Sequence, residues 1–183
     1  MAQDYVYFDL ETLRLAGDVG GWNNKGDMGM SVGATYSTKT GKYVAYPEKR
    51  VQDLIDQLIK ADLVIGFNHI NFDYAVLEGY YPFALAEQCA SLDLLVSIEE
   101  RAGHRMKLDA VASASLGAGK TAVGLDAIKW WREGRFRDVA EYCCYDVKVT
   151  KLVHEYGAKH GHIKYEDKFG NVQQVEVDWP LPT

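Results

Sequence analysis

The stretch Tyr5-Val6-Tyr7-Phe8-Asp9-Leu10-Glu11-Thr12 constrains the fold most. Its first four residues are aromatic or β-branched and lie between charged flanks, the pattern of a buried strand near the N-terminus. Side chains alternate across a strand, so Asp9 and Glu11 leave on the same side at the end of a hydrophobic element. Burial and mutual repulsion raise a carboxylate pKa there unless a cation neutralises the pair. Mg²⁺ or Mn²⁺ suits such a place, because hard divalent ions take oxygen ligands from one or two carboxylates and a substrate phosphate. Taken alone, the segment fits equally well a strand end whose acids meet solvent or a lysine.

The 183 residues, 48% of them hydrophobic, suit one domain able to fill a core. The start lacks a basic, apolar leader and no run has the length of a membrane span, so the expectation is a soluble, cytoplasmic protein. Three cysteines, two of them adjacent at Cys143 and Cys144, form neither a disulfide framework nor a CxxC zinc pair. A formal net charge of −6 argues against a protein that simply coats nucleic acid. It does not exclude a nuclease, whose divalent ions offset the acids gathered at its site.

From Leu13 to Met30 five glycines accompany Trp22 and two asparagines, which predicts a long, aperiodic loop. Trp22 is expected to fold back onto the domain, with stacking on a base as the alternative. Gly29 to Tyr36 and Lys42 to Tyr46 flank the turn residues Ser37-Thr38-Lys39-Thr40-Gly41, a hairpin signal that makes three opening antiparallel strands. Val51, Leu54, Ile55, Leu58 and Ile59 then recur at helical spacing between Glu48 and Lys60. Leu63 to Phe67 reads as a strand buried on both faces, as in a parallel region covered by helices, with sites at the strand ends.

Such an end holds Asn68-His69-Ile70-Asn71-Phe72-Asp73. Asn71 is expected to cap a helix from about Phe72, with Asp73 in its first turn, where the helix dipole favours a negative charge. The functional reading makes Asp73 a third carboxylate at the cation site and places Asn68 near substrate; His69 is read as a hydrogen-bonding loop residue. Ser91 to Leu95 runs from a short strand into a helix, and Lys107 to Leu116 is a further helix. Gly119-Lys120-Thr121 is not a phosphate loop, because Ser115 stands where that motif needs glycine and the preceding segment is helical. Lys120 is left as either a phosphate contact or a solvated lysine beyond a helix cap.

Lys129-Trp130-Trp131-Arg132-Glu133-Gly134-Arg135-Phe136-Arg137 interleaves cations with aromatics. This is the best candidate for gripping a single strand, with Trp130 and Arg132 as contacts, although at least one tryptophan belongs in the core. A long helix is expected from about Arg137 to His160. Tyr142 and Asp146, four apart, share one face of it, so Asp146 can add a fourth carboxylate and Tyr142 a hydroxyl.

The ordered set Asp9-x-Glu11, Asn68-x-x-x-Phe72-Asp73 and Tyr142-x-x-x-Asp146 resembles the three motifs of the DEDD exonucleases. The tyrosine marks the DEDDy branch, since the histidine branch needs His where Glu141 stands. Lys107-Leu108-Asp109-Ala110-Val111-Ala112 with Leu116-Gly117-x-x-Lys120 is also similar to the proofreading domain of family B DNA polymerases. The likeness covers about residues 5–160 and implies an α/β, RNase H-like fold. Its central five-stranded mixed sheet would have three antiparallel strands followed by parallel ones, flanked by helices. A C-terminal hairpin over about 162–179 would lie outside the shared core. The resemblance further implies two-metal phosphodiester hydrolysis with Mg²⁺ or Mn²⁺, and a 3′-5′ exonuclease releasing nucleoside 5′-monophosphates from single-stranded DNA or RNA. Asp9 would bridge both ions, Glu11 and Asp146 complete one site, and Asp73 hold the other mainly through water, while Tyr142 orients the attacking water. Leu10, Thr12, Asn68 and Phe72 would touch nucleic acid. Membership of a larger replication, repair or RNA-processing complex stays open. The competing readings are a catalytically silent nucleic-acid-binding module of the same fold and a structure-specific endonuclease.

Overall fold

The computed structural model describes residues 3–117 and 125–183. Strand β1 (Tyr5–Thr12) is the middle strand of a five-stranded sheet. On one side it pairs antiparallel with β2 (Met30–Ser37), which pairs antiparallel with β3 (Lys42–Pro47). On the other it pairs parallel with β4 (Leu63–Gly66), which pairs parallel with β5 (Ser91–Asp93). The spatial order β3-β2-β1-β4-β5 is the mixed sheet expected, with β4 one residue shorter than its sequence pattern.

The helices are α1 (Val51–Lys60), α2 (Asp73–Leu77), α3 (Leu85–Gln88), α4 (Leu94–Ala102), α5 (Leu108–Leu116), α6 (Leu125–Arg132) and α7 (Phe136–His160). Residues 48–50, expected within the first of these, form a separate 3₁₀ turn after Pro47. Helices cover both faces of the sheet, and the alternation of β1 decides what each face meets. Val6, Phe8 and Leu10 pack with Leu54, Ile55 and Leu58 of α1 and Tyr74, Val76 and Leu77 of α2. Tyr5 and Tyr7 pack on the other face with α4, α5 and the long α7. Asp9 and Glu11 continue this second row and therefore point toward α7.

Three expectations about loops are corrected. The glycine-rich segment is not aperiodic: residues 16–19 and 22–28 form 3₁₀ helices, and Gly26 packs on Gly79 just after α2, where a Cβ on residue 79 would collide with the Gly26 carbonyl oxygen. Trp22 does not fold back onto the domain; it is 65% exposed, with only a ring edge near Phe72. Asn71 is not the cap of α2, because Phe72 holds that position and no side chain caps the helix.

After α7 the chain forms a hairpin of β6 (His162–Glu166) and β7 (Val172–Glu176). Its Ile163 and Val175, with Val177 and Trp179 just after it, join the core cluster shared with α4, α5 and α7. Trp179 stacks near His154 and its Nε1 donates to Ser97 Oγ over 2.9 Å. Among the described residues no helix is long and apolar enough to cross a membrane, and Cys89, Cys143 and Cys144 are free thiols.

Candidate active site

Helix α7 crosses the sheet face that carries Asp9 and Glu11. The buried Cys143 seats it there, with its thiol 3.4 Å from the backbone oxygen of Asp9 and 3.8 Å from Oδ2. Three residues on, nearly one helical turn, Asp146 faces the same strand end. One carboxylate oxygen from each of Asp9, Glu11 and Asp146 lies within 4.8 Å of the others. A bulge in the β1–β2 pairing follows Glu11, so the ladder ends its regular register at the acid pair.

Desolvation is the main electrostatic fact here. Burial, reinforced by the charges of Asp73, Asp146 and Glu11, raises the pKa of Asp9 well above the ordinary carboxylate range. Glu11 is raised by burial and then by Asp146 and Asp73. Burial lifts Asp146 to about 6, with the Tyr142 hydroxyl pulling it down and Asp109 pushing it up. Among the described residues no lysine or arginine forms an ion pair with any of the three. Three hard oxygen donors with uncompensated repulsion suit a divalent cation.

Asp73 stands outside this triad. It is buried at the start of α2, and its Oδ1 accepts the Leu10 N–H over 3.0 Å. Burial raises it to about 7 while that hydrogen bond lowers it. Its charge is the largest of those acting on Asp9 and also raises Glu11.

Tyr142, one turn before Asp146, hydrogen-bonds to it, and burial followed by the Asp146 charge drives the phenol pKa upward. The hydroxyl therefore stays protonated. Trp130 meets the Tyr142 ring edge-on at 6.0 Å, and the Arg135 guanidinium lies 5.0 Å over the Trp130 ring.

Asn68 has φ +70°, a left-handed conformation that asparagine tolerates better than most residues. Asp93 holds this turn, and nothing in the sequence reading singled it out. Its carboxylate accepts the N–H groups of Asn68, Ile70, Leu95 and Val96, joining the loop after β4 to the start of α4. An aspartate between a strand and a helix was the available signal. His69 is wholly buried, with Nδ1 3.6 Å from Asp93 Oδ2.

Leu10, Glu11, Thr12, Trp22, Phe72 and Ile128 contribute to the wall of a cavity of about 400 Å³ beside the acids. The Thr12 hydroxyl donates to the Arg14 carbonyl over 3.0 Å. Of the cations between 129 and 137, each has an acidic partner: Lys129 with Glu133, Arg132 with Asp18, Arg135 with Asp138 and Glu133, and Arg137 with Glu141. Lys120 lies outside the described residues.

A mixed sheet whose middle strand and last long helix bring acids together at one end defines an RNase H-like α/β protein. The sequence profile of the RNase H superfamily matches residues 6–157, and the chain belongs to that superfamily. Among solved structures it is similar to the family B DNA polymerase from the hyperthermophilic archaeon Pyrobaculum calidifontis. The two share 17% identity and a TM-score of 0.63, over 85% of this chain and 24% of the polymerase chain. The chain thus spans about a quarter of that protein, and the likeness is one of fold. No curated protein matches the chain.

Proposed function

We propose that the chain is a metal-dependent 3′-5′ exonuclease that hydrolyses single-stranded DNA or RNA and releases nucleoside 5′-monophosphates. The observation that carries this reading is the meeting of Asp9, Glu11 and Asp146 within 4.8 Å with no lysine or arginine ion-paired to them among the described residues. Binding alone does not need three desolvated acids. Asp9, Glu11 and Asp146 would hold a divalent ion, and Asp73, with one oxygen committed to Leu10, would support a second through its other oxygen or through water.

Bound Mg²⁺ or Mn²⁺ would supply charge stabilisation at the phosphate and the leaving 3′ oxygen and would acidify water near the acids. The protein's part is positioning. Tyr142 donates a hydrogen bond and is too weakly acidic to act as a base at neutral pH, so its role is to orient the attacking water. The cavity beside Glu11, lined by Phe72 and Trp22, would receive the terminal base against those two rings. The resemblance of the Tyr142-x-x-x-Asp146 and Asp9-x-Glu11 motifs to the DEDDy exonucleases supports the 3′-5′ direction.

A 5′-labelled oligonucleotide incubated with Mg²⁺ or Mn²⁺ tests the reading. Laddering from the 3′ end is expected, abolished by EDTA and in Asp9→Ala or Asp146→Ala. Activity persisting in either variant overturns it. Cleavage of a circular single strand would assign an endonuclease instead, and matched DNA and RNA strands digested side by side establish which sugar is preferred.

A further inference from the structure

The hairpin that follows α7 begins beyond residue 157, where the match to the superfamily ends, so it lies outside the matched segment. Between it and the loop joining α4 to α5 lies an open groove of about 590 Å³. Arg105 and Lys107 stand on one wall, Tyr165, Lys168 and Phe169 on the other, and His104 packs edge-on against Tyr165. In a chain of net charge −6 this local gathering of cations and rings runs against the overall balance.

Glu166 and Asp167 also line the groove and offset part of that positive charge. Glu99 pairs with Arg105, and the Asp167 carboxylate accepts the N–H groups of Phe169 and Asn171 inside its own turn, leaving Glu166 exposed at the rim. Lys107 and Lys168 form no ion pair among the described residues. Phe169 is 77% exposed, yet it sits on a turn closed by the Asp167 N–H to Asn171 carbonyl bond and by that carboxylate. Lys168 Nζ lies 5.0 Å over the Phe169 ring, so a base would stack on the ring's other face, and the ordered turn keeps the ordering cost of binding low.

The groove also adjoins the acid site. Arg105 Nη2 donates to Asn68 Oδ1 over 3.0 Å, on the loop that leads to Asp73. In the first turn of α5, two residues beyond Lys107, Asp109 is near enough for its charge to act on Asp146.

We propose that this groove is a second nucleic-acid subsite, in which Arg105, Lys107 and Lys168 follow the phosphates of a single strand and Phe169 stacks on one of its bases. That the bound segment is the 5′-ward continuation of a strand whose 3′ end enters the acid site rests on the exonuclease reading; the subsite itself does not.

The test uses the full chain in EDTA, so that nothing is cut, and measures anisotropy of a labelled trinucleotide and of a strand about 12 nucleotides long, within the span such grooves cover. Lengthening the strand should raise affinity, and Phe169→Ala should reduce that gain about tenfold, the scale of one stacked base. Lys107→Gln and Lys168→Gln should each lower the slope of log affinity against log salt by about 0.7 for the long strand. Lys39→Gln, in the turn between β2 and β3 at the other end of the sheet, serves as the charge-matched control. An unchanged length gain in Phe169→Ala overturns the proposal, as does an equal loss for the trinucleotide. If Mg²⁺ then elicits no digestion while the Phe169-dependent gain persists, the exonuclease reading falls and the subsite stands.

Discussion

The backbone N–H of Leu10 donates to Oδ1 of Asp73 over 3.0 Å, joining the central strand to a helix on the face opposite the acid triad. A buried carboxyl raised to about 7 can serve as acceptor whether or not it carries a proton. Asp73→Asn keeps that acceptor and should unfold near the parent midpoint in urea at pH 7. Asp73→Ala leaves a buried amide unpaired and should lose about 1 to 3 kcal/mol. Both should lose metal-dependent cleavage. Equal stabilities for the two variants would show that the Leu10 bond contributes nothing.

The parts of the site that sequence alone made legible are those governed by short periods. Period two in β1 put Asp9 and Glu11 on one side, and a spacing of four put Tyr142 beside Asp146, because each depends on a single element's geometry. The side from which Asp73 approaches depends on how α2 packs against Phe8 and Leu10, which no local pattern encodes. The same is true of Cys143 beneath Asp9. The glycines between 17 and 29 read as a loop because the contact that Gly26 makes with Gly79 is distant in sequence. Asp93 went unnoticed because its four donors lie on two segments that meet only in the fold.

Opposing titrations should shape the pH dependence of the metal-free protein. Asp146, at about 6, and Asp73, at about 7, hold their protons more tightly folded than unfolded. Their stabilising effect is complete below pH ~4 and is lost as pH rises through about 6 to 7. Burial lowers His69 and His154 to about 4, so their contribution is complete above pH ~6.5 and is lost as pH falls toward 4. Removing one acid, as in Asp146→Asn, should therefore raise Tm in EDTA relative to the parent more at pH 8 than at pH 5. Mg²⁺ should likewise raise the parent's Tm more at pH 8. Equal Mg²⁺ shifts at both values would show that the acids are not titrating in this range.

Tyr142 separates positioning from metal binding. Its hydroxyl hydrogen-bonds to Asp146, while its ring is held by Trp130. Tyr142→Phe keeps the ring and should lower kcat roughly 10- to 100-fold, at or below the low end of proton-transfer contributions. Calorimetry should still show Mn²⁺ uptake. A loss of Mn²⁺ binding equal to that of Asp146→Ala would make the tyrosine a structural support of the ligand instead.

Gly157 and Trp179 tie the hairpin to α7. A Cβ at position 157 would overlap the Trp179 ring, whose Nε1 is anchored on Ser97. Trp179→Ala removes a buried aromatic side chain and should cost about 3 to 5 kcal/mol in urea unfolding. Gly157→Ala forces the same ring aside and should cost about 1 to 3 kcal/mol. In the double variant the small residue fills part of the space the indole vacates, so the two losses should fall short of additive. Additive losses would show that helix and indole are not in contact in solution.

Gly79 makes the last case, because it separates the shape of the terminal-base cavity from the acids. Gly26 and Gly79 approach so closely that a Cβ on residue 79 would collide with the Gly26 carbonyl oxygen, a backbone atom that cannot turn away. Gly79→Ala should therefore displace the 3₁₀ helix over 22–28 and with it Trp22, whose ring edge meets Phe72 across the cavity. Asp9, Glu11 and Asp146 lie on β1 and α7, outside that contact, so divalent-ion affinity at that triad should hold while KM for a single strand rises roughly tenfold, the scale of one lost stacking partner. Trp22→Ala, at an exposed position, should reproduce the rise in KM without affecting the unfolding midpoint. A normal KM in Trp22→Ala would remove the indole from substrate binding and leave Phe72 as the ring that meets the terminal base.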